Sequence, residues 1–311
     1  MKQGNKLNEK SERIAKFLAR SGVASRRESE KLIFDGRIKL NGKILMSPAI
    51  KVTPKDVILF DNQPVATKQP LRLWRYHKPD GLITTHKDER NRSTVFDELP
   101  EELGRVISIG RLDLTSEGLL LLTNDGELAR ALELPSTGWQ RKYRVRAYGK
   151  VTQHDLDKLQ KGITIDGIKT GEIVATLERQ KGDNAWISVT LREGKNREVR
   201  RALDTLGLRV NRLIRISYGP FQLGNLEKGT VEEVKLRILK EQVGHLIEIP
   251  DIKNVKESKT SDNKKFISNK RSQNPSSVNH KFKKKDPVSR ERLHKRAETS
   301  HSKANKNRKK N

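Results

Sequence analysis

The sequence predicts an α+β protein in three parts: a small helix-and-hairpin unit over residues 11–62, a larger mixed domain over 71–248, and a basic tail over 251–311. Three observations carry this reading. Ser25-Arg26-Arg27-Glu28 and Asn41-Gly42 mark a capped helix followed by a hairpin turn. From residue 71 onward, strand-like apolar runs alternate with helical periodicity. After residue 250 large apolar residues are sparse and aperiodic, so that segment cannot bury enough surface to offset its ordering entropy and is expected to be disordered.

The elements follow in order. Glu12–Arg20 places Ile14, Phe17 and Leu18 on one helical face. Ser25 caps a second helix that Glu28 closes and that stops at Asp35-Gly36. Residues 37–45 alternate polar and apolar about Asn41-Gly42. These helices carry Lys16, Arg20, Arg26, Arg27 and Lys31 beside a basic hairpin, a small nucleic-acid-sized footprint. Residues 63–70, bounded by two prolines, read as a linker. Strands are expected at 71–76, 105–109, 118–123, 141–147 and 186–191, and helices at 126–134, 154–161 and 196–206. Leu119–Leu122 suit a strand buried on both faces. Just before it, Arg111-Leu112-Asp113 forms a charged loop between Gly110 and Gly118, whose glycines allow close approach or unusual backbone angles. Asp125 or Asn124 can cap the helix that follows.

Composition narrows the chemistry. The chain holds 66 Lys+Arg against 39 Asp+Glu, a net charge of +27. Residues 251–311 contain 20 basic and 6 acidic residues and residues 1–250 contain 46 and 33, so the excess is not confined to the tail. A polyanionic partner is implied, because each cation that neutralises a phosphate releases counterions. With no cysteine, thiolate chemistry and disulfides are excluded. The histidines lack metal-site spacing, and no phosphate-binding or dinucleotide-binding glycine motif occurs, so no cofactor and no metal is expected. The polar start, without an apolar core of leader length, leads to the expectation of a cytoplasmic protein with no membrane partner.

Two segments resemble a known family. "RIAKFLARSGVASRRESEKLIFDGRIKLNGK" resembles the S4 RNA-binding domain, and "GRLDLTSEGLLLLTNDGEL" resembles the signature of the RsuA-type RNA pseudouridine synthases. "YHKPDGLITT", "RSTVFDELP", "RKYRVRAYG", "EGKNREVRRALDTLG" and "NRLIRISYGP" agree in order, so the resemblance spans about residues 11–245. It implies an S4 domain followed by a catalytic domain with a mixed, mainly antiparallel sheet. The last two segments and the tail look most like the RluB-type members, which modify a uridine near the peptidyl transferase region of 23S rRNA. Ala202 stands where a larger apolar residue is expected after the double arginine.

By the resemblance, Asp113 is the carboxylate nucleophile, Tyr143 stacks on a flipped-out uridine and assists loss of its C5 proton, and Arg200 pairs with Asp113. Leu213 is implied as an apolar wall beneath the base, and Arg111 as a group that opens the RNA or holds the vacated base position. Lys16, Ser25, Arg26, Arg27 and Lys43 form the implied RNA face of the S4 domain, with Arg197 and Arg201 meeting phosphates. The partner implied is ribosomal RNA, acted on by a monomer without a nucleotide cofactor. Three rivals remain: a synthase acting on 16S rRNA, a non-catalytic S4-domain ribosome-assembly protein, and a DNA-binding regulator. The last lacks a dimer seam, and the second has no need of Asp113, Tyr143 and Arg200.

Overall fold

The computed structural model describes residues 11–66 and 69–249. The tail expected at 251–311 lies outside them, as do two residues of the expected linker.

The N-terminal unit runs β1 (Glu12–Arg13), α1 (Ile14–Arg20), α2 (Arg26–Phe34), β2 (Ile38–Leu40), β3 (Lys43–Ile44), β4 (Lys51–Val52), β5 (Ile58–Phe60) and β6 (Gln63–Pro64). α1 starts two residues later than the sequence periodicity indicates, because Glu12 and Arg13 pair with β4 instead. Ser25 accepts the Glu28 amide and the Glu28 carboxylate accepts the Ser25 amide, completing the capping box. Asn41 and Gly42 both take positive φ, 49° and 83°, as a two-residue hairpin turn requires. Strands β3-β2-β5-β6 form one antiparallel sheet, and Ile14, Leu18, Ile33 and Ile38 fill the core between it and the helices.

The larger part runs β7 (Leu73–Lys78), β8 (Ile107–Ile109), β9 (Ser116–Thr123), α3 (Gly126–Glu133), β10 (Arg141–Tyr148), α4 (Gln153–Asp157), β11 (Thr164–Ile165), β12 (Ile168–Lys169), β13 (Ile173–Lys181), β14 (Asn184–Leu191), α5 (Glu198–Asp204), β15 (Arg209–Tyr218), β16 (Phe221–Gln222), β17 (Val231–Glu233) and α6 (Leu236–Val243). Its sheet has the order β13-β14-β10-β15-β9-β7-β17, with β16 on β15 and β8 on β9. Within this sheet every described pairing is antiparallel except one: Leu213–Arg215 of β15 run parallel to Ser116–Gly118 of β9. The sequence reading missed β13 and the ten-residue β15 and overextended α4, which ends at Asp157, after which the chain continues in turns.

Apolar side chains cover the two faces of the sheet unequally. On one face Leu120 and Leu122 join Tyr76, Val145, Ile187, Val189 and the apolar side of α5. On the other, Leu119 and Leu121 meet Leu128 and Leu132 of α3 and Leu239 and Val243 of α6. The four leucines thus alternate between two cores, and all four are fully buried. Ala202 is buried with Leu203 against the first core, so α5 packs despite its small residue. β10, β13 and β14 bury only alternate residues, so their second face is open.

Candidate active site

Asp113 hangs on a loop fixed from four directions. The Gly110 amide donates to Glu133 Oε1 of α3 at 2.5 Å. Thr84 Oγ1 donates to the Leu112 carbonyl at 2.9 Å and accepts the Leu112 amide at 3.3 Å. The Gly81 amide donates to the Leu114 carbonyl at 2.8 Å, and the Ser116 amide closes a turn on the Asp113 carbonyl at 3.0 Å. Gly110 takes φ 68°, a left-handed angle that favours glycine.

Beneath the loop lies Lys78, fully buried. Its Nζ donates to the carbonyls of Ser116 at 2.8 Å and Pro79 at 2.9 Å, with the Leu114 carbonyl at 3.5 Å. Burial pulls its pKa down to about 8, against the pull of Asp80, Asp113 and Glu117. An ammonium enclosed by carbonyl oxygens ties the end of β7 to both ends of the Asp113 turn. The strand alternation that buries Trp74 and Tyr76 also buries Lys78, so period two was the signal that could have found it.

The loop opens into a cleft of about 690 Å³, which brings Asp113, Arg111, Tyr143, Leu213 and Arg197 together from four separated segments. Tyr143 is 8% exposed and its Cα pairs with Arg215 across a β-bulge, which keeps Tyr143 and Arg215 on the cleft side. Leu213 is 4% exposed and forms apolar lining. Arg111 is exposed at the rim. Deeper in, Arg141 Nη2 donates to the Tyr218 hydroxyl at 3.0 Å, and the guanidinium groups of Arg141 and Arg215 lie 4.8 and 5.1 Å from the centre of the Tyr218 ring. Glu198, buried in the cleft wall, accepts the Lys195 amide at 2.9 Å, and desolvation raises its pKa.

The geometry corrects the expected arginine roles. Arg197, and not Arg200, comes within ion-pair reach of Asp113, at 3.9 Å. Arg197 is the N-cap of α5 and takes φ 50°, a sparsely populated conformation for a residue with a Cβ. Arg200 instead donates to the carbonyls of Val210 at 2.9 Å and Thr115 at 2.9 Å, bolting α5 to β15 and to the end of the Asp113 loop. Burial lowers its pKa first, and the neighbouring Arg197 adds to this, while Asp113 opposes both. Arg201 pairs with Asp166 rather than standing free.

The expected RNA face of the N-terminal unit divides in two. Arg26, Arg27 and Lys43 are exposed. Lys16 faces the larger domain, pairing with Glu127 at the start of α3, and Arg20 lies 3.8 Å from the buried Asp125. Ser25 Oγ is committed to its capping box. Asp125, not Asn124, caps α3, accepting the amides of Glu127 and Leu128. Asn124 instead joins the Arg72 amide and the Pro70 carbonyl. Helix α1 therefore docks the unit onto α3, since its cations meet the negative charge gathered at that helix start.

Comparison with known proteins agrees with this architecture. Residues 12–58 match the S4 domain model and residues 72–205 match the RNA pseudouridylate synthase model. An uncharacterised RNA pseudouridine synthase of Rickettsia felis is 49% identical over 228 residues, covering 73% of this chain and 99% of that protein. The ribosomal large subunit pseudouridine synthase B of Salmonella typhi is 42% identical over 219 residues, covering 68% of this chain and 75% of that protein. A crystal structure of a pseudouridylate synthase superposes with a TM-score of 0.52 at 26% identity, covering 74% of this chain and 99% of that one. With an S4 domain ahead of a mainly antiparallel catalytic sheet, the chain belongs to the RNA pseudouridine synthase family.

Proposed function

We propose that this enzyme converts one uridine of 23S ribosomal RNA, near the peptidyl transferase region, to pseudouridine, with Asp113 as nucleophile on a flipped-out base. The observation that carries the reading is the convergence of Asp113, Tyr143 and Leu213 on one cleft from segments far apart in the chain. Similarity to a large-subunit synthase supports the choice of 23S rRNA.

In this mechanism the uridine leaves its stack at a cost of a few kcal/mol and enters the cleft. Asp113 attacks the sugar or the base, and the C1′–N1 bond breaks. The base turns, C5 bonds to C1′ as the bond to Asp113 is released, and the proton lost from C5 is balanced by one gained at N1, so atoms are conserved and no external group moves. Leu213 and the Tyr143 ring hold the uracil by its faces, which restrains it without fixing its rotation. Arg197, within ion-pair reach, orients the Asp113 carboxylate. Arg111 fills the space the base vacates. The reaction is redox-neutral, so the enzyme needs neither a metal nor a nucleotide cofactor, and it acts as a cytoplasmic monomer.

The test is tritium release from RNA labelled at uridine C5, with unmodified 23S and 16S transcripts in parallel. Release from 23S alone, lost in Asp113→Asn, is the expected result. Release from 16S alone would overturn the substrate, and release by Asp113→Asn would overturn the nucleophile.

A further inference from the structure

The open face of β10, β13 and β14 carries a cluster of cations. Lys142, Arg144, Arg146 and Tyr148 alternate along β10 with buried residues and all four are exposed. Cross-strand pairing sets Arg146 opposite Trp186, and Trp186 opposite Arg179, so an indole lies between two guanidinium groups on three adjacent strands. Lys181 and Asn184 complete a concavity of about 310 Å³ with these three residues. Arg144 lies over the Trp186 ring at 4.6 Å and is held there by Glu178 at 2.9 Å.

The cations around the indole differ from several others on the molecule. Lys16, Arg20, Arg72, Arg75, Arg92 and Arg212 each meet a carboxylate. Among the described residues Arg179 and Lys181 have no carboxylate partner, and Arg146 has only the Asn184 side-chain oxygen, at 3.3 Å. Three like charges crowded about a half-buried aromatic ring repel one another and favour the unfolded chain. An anion relieves that repulsion. With 20 basic and 6 acidic residues, the segment 251–311 is not an anion that could relieve it.

We propose that this face binds an unpaired segment of the RNA, with a base stacked against Trp186 and the flanking phosphates held by Arg146, Arg179 and Lys181. It lies on the opposite side of the sheet from Tyr143, so RNA here belongs to a strand beyond the one being modified. Adjacent strands are about 4.8 Å apart, which separates the Arg146 and Arg179 backbones by about 10 Å, within reach of neighbouring phosphates on either side of one base. Stacking on the part of the ring that Arg144 leaves uncovered tolerates any base, so the surface adds affinity and orientation rather than sequence choice. The proposal rests on the enzyme's handling of RNA and not on which uridine it modifies.

The test uses the full chain and an unstructured pyrimidine RNA of about 40 nucleotides, free and annealed to its complement, long enough to reach several sites at once. The triple variant Arg146→Gln/Arg179→Gln/Lys181→Gln is expected to flatten the slope of log affinity against log salt by about two, at ~0.7 per lost contact on a single strand. Trp186→Ala is expected to weaken binding about fivefold, the low end for one stacked base, with Trp186→Phe retaining most of it. Thermal melting of each variant checks the fold, and a 4-thiouridine photo-crosslink mapping to β13 or β14 places the strand. Unchanged affinity and slope in folded variants would overturn the proposal, as would equal losses on the duplex. Because binding is read without turnover, a chain that fails tritium release but shows these losses keeps the surface and loses only the proposed reaction.

Discussion

Asp113 sits where it does because Lys78, Thr84 and Gly110 restrict the backbone beneath it. Asp113→Asn keeps that scaffold and removes only the charge, so tritium release is expected to disappear while RNA affinity stays within a few-fold. Arg200→Ala separates α5 from the loop and from β15. It is therefore expected to lower the single-turnover rate more than affinity, and equal losses in both would contradict the positioning role. Lys78 has a pH signature. Its pKa falls from the usual 10.5 to about 8 on folding, so between those values the unfolded chain binds more protons. The stability contributed by this site is lowest below pH 8 and rises as pH climbs towards 10.5. The difference in unfolding free energy between wild type and Lys78→Met is expected to move in favour of wild type by up to about 3 kcal/mol across that window, as measured by urea unfolding.

At the scale of elements, the parallel contact of β9 with β15 brings Ser116, Leu213 and Arg215 to the cleft lining. Gly118 takes φ 103°, and a Cβ there would stand 2.4 Å from the Arg215 carbonyl oxygen and 2.7 Å from its nitrogen, neither of which can yield without moving the strand. Gly118→Ala is expected to destabilise the fold by about 3 kcal/mol and to abolish activity, read by thermal melting and tritium release. Beside it, the buried Glu117 is held at a pKa of about 2, chiefly by the Arg212 guanidinium. That is below the ordinary 4.5, so its contribution is fully present above pH 4.5 and is lost as pH falls towards 2. Glu117→Gln is expected to remove up to about 3 kcal/mol at neutral pH and to flatten the acid limb of the stability profile. Much of this was legible beforehand: Asn41-Gly42 named its turn, Ser25 and Glu28 their cap, and Leu119–Leu122 a strand with two covered faces. β13 was not, because Glu178, Arg179, Gln180 and Lys181 interrupt any apolar run on a strand with one open face. The arginine roles were not legible either, because a backbone bend at Arg197 decides which guanidinium reaches Asp113.

At the scale of the whole molecule, charge sorts into places. Lys16 and Arg20 hold the N-terminal unit to α3, whereas Arg26, Arg27 and Lys43 remain exposed. Deleting residues 251–311 removes 20 basic and 6 acidic residues. It is expected to weaken RNA binding and flatten its salt dependence without abolishing isomerisation, as checked by filter binding over a salt series and by tritium release. The parallel pairing of β9 with β15 also fixes an order of birth. The N-terminal unit closes on contacts within residues 12–64, so it can fold as soon as it leaves the ribosome. Ser116–Gly118 must wait for Leu213–Arg215, a long loop to close, which makes this step slow relative to local pairing. During its own synthesis the protein thus gains an RNA grip well before it gains a working cleft, and the chemistry arrives last.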